Sequence, residues 1–198
     1  MTGRPRLLGA VLAGGVSRRL GRDKAKERVG DVPLIERAVT TLRGACAEVV
    51  VVSSRPDTPT GAWTCIPDAR QPCGPLGGVE AALDHAARLG YDGAFVLACD
   101  LPLVDSTVIE AIAMALARAE ASAPARAGDP DFEPLCAAYR VSCLPTLLAL
   151  LDSGARAAQL LFERVGGDRV AVGHDVFLNV NTAADLARAR SAVPPGSE

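Results

Sequence analysis

Three short runs of unbroken apolar character, each ending in polar or glycine-rich punctuation, constrain this chain more than any other feature. They are Leu7–Leu12 (LLGAVL), Glu48–Ser54 (EVVVVSS) and Gly93–Cys99 (GAFVLAC). None alternates with polar residues, so each is expected to be buried on both faces, as strands are inside a parallel sheet covered by helices. The segments between them supply the helices. Pro33–Arg43 sets Leu34, Ile35, Ala38, Val39 and Leu42 on one face behind a first-turn proline. Leu76–Leu89 resumes that spacing, and an alanine-rich helix capped by Asp105 or Ser106 runs to about Glu120. Cys143–Leu151, Ala155–Arg164 and Thr182–Ser191 follow as helices. Shorter strands are expected at Trp63–Ile66, Glu133–Arg140 and Arg169–Val172, with a Pro/Gly/Asp loop at Ala123–Asp131. The rhythm predicts a single doubly wound, mostly parallel α/β sheet over residues 1–191, with a disordered tail at 192–198.

Composition agrees and narrows the partners. Hydrophobic residues make up 49% of the 198, aromatics only 4%, so the core is built from Val, Leu, Ile and Ala. A formal charge of −2 gives no general electrostatic drive toward nucleic acid or anionic membrane, and no apolar run approaches the length of a membrane span. No apolar leader segment precedes Gly14, so a cytoplasmic protein is expected. The six cysteines form no C-x-x-C pair and read as reduced, mostly buried thiols. His85 and His174 lie far apart with no metal-ligand spacing near either, which speaks against a histidine-based triad or zinc site.

Ligands of open parallel sheets bind beyond the carboxyl ends of the strands. Aligning those ends brings together the loop after Leu12, Ser53-Ser54-Arg55, the stretch Asp68–Gly78, and Asp100. The first loop carries Gly14, Gly15 and Gly21 with Ser17, Arg18, Arg19, Arg22 and Lys24. Glycine-rich backbone brings N–H groups close to phosphates while Arg and Lys oppose their charge, although an ordinary surface loop uses the same residues. The pattern is neither G-x-x-x-x-G-K-[ST] nor G-x-G-x-x-G. Asp100, directly after an apolar strand, stands where a Mg²⁺ on nucleotide phosphates would be held; turn formation is the simpler alternative. Asp68 could accept N–H bonds from a base or ribose or merely stabilise its turn. Gly77 and Gly78, at a helix start, suit close approach of a ligand.

Leu12-Ala13-Gly14-Gly15-Val16-Ser17-Arg18-Arg19-Leu20-Gly21-Arg22-Asp23-Lys24 resembles the L-A-G-G-x-S-x-R-x-G-x-D-K signature of the molybdenum cofactor guanylyltransferases. Asp68 with Gly74-Pro75-Leu76-Gly77-Gly78, then Cys99-Asp100-Leu101-Pro102, Pro134, and Asn179-Val180-Asn181-Thr182 follow in the family's order, so the resemblance spans nearly the whole chain. It implies a Rossmann-like fold of the nucleotide-diphospho-sugar transferase type. It also implies transfer of GMP from GTP to the terminal phosphate of Mo-molybdopterin, with Mg²⁺ and release of pyrophosphate. The Gly14-Gly15 pair, where cytidylyl enzymes have Ala-Gly, favours guanylyl transfer; a cytidylyltransferase and a non-catalytic nucleotide binder are the alternatives. Carried over, Leu12, Ala13, Gly14, Gly15, Ser17, Lys24, Ser53, Asp68, Gly77, Gly78 and Asp100 would contact GTP. Arg19, Lys24 and Asp100 would act in catalysis, and Asp100 would bind Mg²⁺. Asn179 and Asn181 would face molybdopterin or cap the last helix. The family carries an Asn near the end of the second strand where this chain has Ser53-Ser54; either hydroxyl replaces one hydrogen bond of that amide, not both. Transient contact with molybdopterin-supplying or molybdoenzyme-maturation proteins would follow.

Overall fold

β1 (Leu7–Leu12) lies inside the sheet, buried along nearly its whole length because both of its faces are apolar. The computed structural model describes residues 4–14, 24–59, 61–68, 70, 73–126 and 131–193. After β1 the chain makes a small hairpin, β2 (Arg28–Val29) and β3 (Val32–Pro33), and then α1 (Leu34–Arg43). β4 (Glu48–Val52), β5 (Thr64–Ile66), α2 (Gly74–Arg88), β6 (Gly93–Ala98) and α3 (Ser106–Ala115) follow. The second half holds β7 (Ala121–Arg126), β8 (Cys136–Arg140), α4 (Leu144–Asp152), α5 (Ala158–Arg164), β9 (Asp168–Val172) and α6 (Ala183–Ala192).

Seven strands form one sheet in the order β5-β4-β1-β6-β8-β7-β9, with β8 the one antiparallel member. β1 pairs in parallel with β4 on one side and β6 on the other, Leu12 standing opposite Val52 and Ala98. The chain thus winds outward from β1 through β4 and β5, then crosses to β6, and a crevice opens at the carboxyl ends of β1 and β6 where the winding reverses.

The two faces divide the apolar residues by parity. Leu7, Val11, Val49, Val51, Phe95 and Leu97 pack under α1 and α3, with Ile35, Val39, Leu42, Ile109 and Ile112. Leu8, Ala10, Val50, Val52 and Val96 pack under α2, α4 and α5, with Leu76, Val79, Leu83, Leu147, Leu161 and Phe162. Alternation of side chains along each strand delivers one set to each layer. A third, smaller cluster seats α6 against the β2–β3 hairpin through Val29, Leu34, Val180, Leu186 and Ala189.

The structure corrects one region. Ala123–Asp131, expected as a loop, begins inside β7, and the expected helix to Glu120 stops at Ala115 in a 3-10 turn, Leu116–Arg118. Arg140 ends the helix by donating from its guanidinium to the carbonyls of Leu116 (2.8 Å) and Ala119 (3.0 Å), and Ser122 donates to that of Ile112 at 2.8 Å. Pro124 lies beyond the last β7–β8 pair, Ser122↔Ala138, where a missing N–H costs the ladder least. The strand expected over Glu133–Arg140 begins at Cys136, after a turn through Pro134 and Leu135.

Candidate active site

The crevice is closed at its base by backbone. Ala13 N–H donates to the Val52 carbonyl at 3.1 Å, and Cys99 N–H donates to that of Leu12 at 3.2 Å, so β1, β4 and β6 end at one level. From this level the site residues rise in two groups.

The first group lies over β1 and β4. The Ser54 hydroxyl donates to Asp68 Oδ2 at 3.0 Å and accepts the Asp68 N–H at 2.9 Å, fixing the loop after β5 to the end of β4. The Asp68 carboxylate is held between two glycines: a Cβ on Gly14 would come 3.7 Å from Oδ2, and one on Gly78 would come 3.6 Å from Oδ1 and 3.1 Å from Leu12 Cδ2. Gly77 is required by its own helix entry, since a Cβ there would meet Cys73 Cβ at 2.7 Å. Gly74 opens α2 at φ +60° with the Arg156 carbonyl 3.1 Å from where a Cβ would stand. That same carbonyl accepts the Leu76 N–H at 3.1 Å. Arg70 ties this loop to the core, donating to buried Glu80 at 3.0 Å and to Asp152 at 2.7 Å. Ser53 is buried, with its hydroxyl 2.6 Å from that of Thr58 and accepting the Arg55 N–H at 3.3 Å.

The second group lies beyond β6. Lys24 Nζ donates to Asp100 Oδ2 at 2.9 Å and to Asn181 Oδ1 at 2.5 Å, its side chain 12% exposed and that of Asp100 20%. The Asp100 carbonyl accepts the Val180 N–H at 2.9 Å, which lays Asn179–Asn181 alongside the carboxylate. With its amide nitrogen toward Asp100, Asn179 donates to Oδ1 at 3.0 Å and Oδ2 at 3.1 Å. The hydrogen-bond network selects that orientation over the reverse, in which the nitrogen faces Glu133 at 3.3 Å. Lys24 and Asn179 thus meet on the Asp100 carboxylate, and Asn181 joins the group through Lys24.

Glu133 is the member that sequence reasoning missed. Its Oε1 accepts the Leu135 N–H at 3.1 Å, and its other oxygen faces Asn179. Burial pushes its carboxyl above the ordinary range, opposed by the Leu135 N–H and reinforced by the neighbouring Asp100 charge. Nothing in the local sequence marks it; the antiparallel pairing of β8 with β6 brings residue 133 back to residue 100. Among the expected residues, the structure therefore gathers Lys24, Asp100, Asn179 and Asn181 in one cluster and Leu12, Gly14, Asp68 and Gly78 in another, while Gly77 sits against Cys73, Ala13 is bonded to Val52 and Ser53 to Thr58. Gly15, Ser17 and Arg19 lie outside the described residues.

A metal ion fits the second group in one way. Among the described residues no three His, Cys, Asp or Glu side chains converge to cage an ion. A single hard carboxylate at a half-buried strand end suits Mg²⁺, which is commonly held by one or two carboxylates together with substrate phosphates.

The chain is similar to known proteins over most of its length. Residues 9–168 fit the model of the MobA-like NTP transferase domain. The chain is 40% identical over 155 residues to a probable molybdenum cofactor guanylyltransferase of Opitutus terrae, covering 77% of this chain and 76% of that one. It is 33% identical over 191 residues to the molybdenum cofactor guanylyltransferase of Rhodobacter capsulatus, covering 93% and 95%. Among solved structures, molybdopterin-guanine dinucleotide biosynthesis protein A of Archaeoglobus fulgidus superposes with a TM-score of 0.77 at 26% identity, over 93% of this chain and 97% of that one. A 2-C-methyl-D-erythritol 4-phosphate cytidylyltransferase of Thermus thermophilus shares the fold, with a TM-score of 0.72 at 18% identity over 94% and 98%.

Proposed function

The chain belongs to the MobA-like NTP transferase family, and from that premise we propose that it transfers GMP from GTP to the terminal phosphate of Mo-molybdopterin, releasing pyrophosphate. The observation that carries this reading is the meeting of Lys24, Asp100, Asn179 and Asn181 at the switch point of the sheet, together with a second carboxylate, Asp68, held by Ser54 at the neighbouring strand ends.

In this reading the two groups divide the donor between them. Guanine presents adjacent N–H donors along one edge, and a carboxylate is the acceptor that matches them. Asp68 is such a carboxylate, held by Ser54 and approachable past Gly14 and Gly78 because neither carries a side chain. Cytosine offers no such pair of neighbouring donors, so the same carboxylate discriminates against CTP. The triphosphate then runs toward Lys24 and Asp100. Asp100 would hold Mg²⁺, which when bound neutralises phosphate charge.

A phosphate oxygen of the acceptor attacks the α-phosphorus; a new P–O bond forms as the bond to the bridging oxygen breaks and pyrophosphate leaves. The acceptor phosphate is already an anion at neutral pH, so no side chain has to remove a proton from it. Catalysis is then positioning and charge compensation. Lys24 supplies the positive charge beside the reacting phosphates, Arg19 assists from the same loop, and Asn181 aims the Lys24 ammonium by accepting from it. Asn179 orients the Asp100 carboxylate. We place the reaction in the cytoplasm, with transient contact to proteins that supply molybdopterin or mature molybdoenzymes; no helix of the described residues is long and apolar enough to cross a membrane.

Calorimetric titration with GTP, CTP, ATP and UTP in the presence of Mg²⁺ tests the donor assignment. GTP is expected to bind at least tenfold more tightly than the others. A preference for CTP would replace the guanylyl reading with a cytidylyl one.

A further inference from the structure

A groove of about 950 Å³ opens from Asn179 and Asn181 and continues past them along α6 and the end of β7. Arg126, the last residue of β7, lines it. Its guanidinium lies over the Phe177 ring, 4.8 Å from the centroid, and its Nε is shielded from solvent with no hydrogen-bond partner among the described residues. A guanidinium held over an aromatic face keeps its charge and N–H donors for an acceptor-rich planar group.

The other sources of positive character in the groove are already engaged or peripheral. The N-terminus of α6, ordinarily an anion site, is closed by its own capping box: Asp185 accepts the N–H groups of Asn181 (3.1 Å) and Thr182 (2.9 Å). Arg188, its side chain 72% exposed, lies 3.9 Å from that same Asp185. Among the described residues that line the groove, Arg126 is therefore the cation whose Nε has no partner and whose position is fixed by an aromatic ring. It is also displaced from the reaction centre. Asp100 follows β6 while Arg126 ends β7, and β8 runs between them, so two strand spacings, about 10 Å, separate the two strand ends. That span is longer than one phosphate contact and comparable to a phosphate joined to a fused ring.

We propose that Arg126, seated on Phe177, recognises the acceptor at the end remote from its phosphate, donating N–H bonds to the carbonyl and ring-nitrogen edge of its planar heterocycle. This rests on the guanylyl-transfer reading for the position of the acceptor phosphate. Arg126 then sets acceptor specificity, as Asp68 sets donor specificity.

The test compares Arg126→Ala, Arg126→Lys and Phe177→Leu with the parent protein, folding being checked by circular dichroism and thermal melting. With Mo-molybdopterin varied, Arg126→Ala is expected to raise the acceptor KM by about tenfold to a hundredfold, the range for one charge-assisted contact, while the KM for GTP stays within twofold. Arg126→Lys, which keeps the charge and loses the planar fork, should remain impaired, and Phe177→Leu should show a smaller loss in the same parameter. An unchanged acceptor KM, or a loss appearing in the KM for GTP instead, overturns the assignment. If the parent protein transfers no GMP, the guanylyl-transfer reading fails, and calorimetry with molybdopterin alone still decides this proposal. Binding at least tenfold weaker in Arg126→Ala supports it; equal binding, or none to the parent, overturns it.

Discussion

Replacing Lys24 with Met removes an ammonium that makes two short contacts, 2.9 Å to Asp100 and 2.5 Å to Asn181, from a site where both charged side chains are at least four-fifths buried. At 2.9 Å the pair attracts by about 6 kcal/mol if the local dielectric constant is about 20, but desolvation of the two ions offsets several kcal/mol of that. Asp100 also keeps its two contacts from Asn179. The expected loss in unfolding free energy is therefore modest, about 1–3 kcal/mol, and Asp100→Asn should cost a similar amount. The two substitutions should not add: in a double-mutant cycle the pair is expected to couple by about 1–3 kcal/mol, because either single change removes the counter-charge and leaves the other ion only its neutral hydrogen-bond partner. Turnover should behave differently. Charge stabilisation aimed at a developing phosphoryl transition state is worth about 10²–10³-fold per group, so each variant should lose at least that much in kcat, Asp100→Asn the more. Groups that act as a unit lose almost everything at the first removal, so the double variant should be little worse than Asp100→Asn. Denaturant melts and pyrophosphate-release assays on the four proteins supply the comparison. If turnover falls only in proportion to stability, or if Asp100→Asn keeps near-normal turnover at limiting Mg²⁺, the Lys24–Asp100 pair is structural and the catalytic reading is wrong.

Four further predictions address other parts of the site and its supports. Ser54→Ala breaks both contacts that fix Asp68 (3.0 and 2.9 Å); it should weaken GTP binding by about tenfold with a stability loss of about 1 kcal/mol, and unchanged GTP affinity would show that Asp68 needs no support. Gly74→Ala forces a side chain onto a residue at φ +60° with a carbonyl 3.1 Å away, so calorimetric melting should drop by about 4–8 °C, corresponding to about 2 kcal/mol; an unchanged melting temperature would contradict this account of the α2 entry. Thiol labelling followed by peptide mass mapping should modify exposed Cys65 first, whereas burial holds Cys46 near 12 and Cys143 near 11 and leaves both slow; early labelling of Cys143 would contradict the packing of α4. The Thr182 hydroxyl and the Asn181 N–H hold the Asp185 carboxyl below its ordinary value of 3.8, so its stabilising effect is present above that value and lost as pH falls through the lower, folded one. Asp185→Asn should accordingly lose part of the acid sensitivity of the melting temperature below about pH 4, and a parallel pH profile would refute the capping role.

The parts of the fold written in the sequence were those whose burial is two-sided. LLGAVL, EVVVV and GAFVLA have no polar face to expose, so their residues could only be interior strands, and the glycines and acids that follow them marked the rim where ligands bind. β7 was hidden because Ala121-Ser122-Ala123-Pro124-Ala125-Arg126 carries small residues and a proline, a pattern that local preference assigns to a loop; its partners, β8 and β9, lie elsewhere in the sequence and override that preference. The same long-range crossing explains the residues that sequence reasoning passed over. Glu133 and Arg126 flank the site only because an antiparallel strand and its neighbour fold the second half of the chain back toward Asp100. Either Ser53 or Ser54 was expected to replace one hydrogen bond of an amide; the structure turns the Ser53 hydroxyl to Thr58 and gives that of Ser54 the supporting role of holding Asp68.

The most direct test of the central claim uses GTP labelled at its α-phosphate, Mo-molybdopterin and Mg²⁺ with the parent protein. The label is expected to move onto the acceptor with one pyrophosphate released per label transferred, and CTP labelled in the same position to donate at least tenfold more slowly. Label that stays on GTP while GTP is bound, or that moves faster from CTP, would contradict that claim.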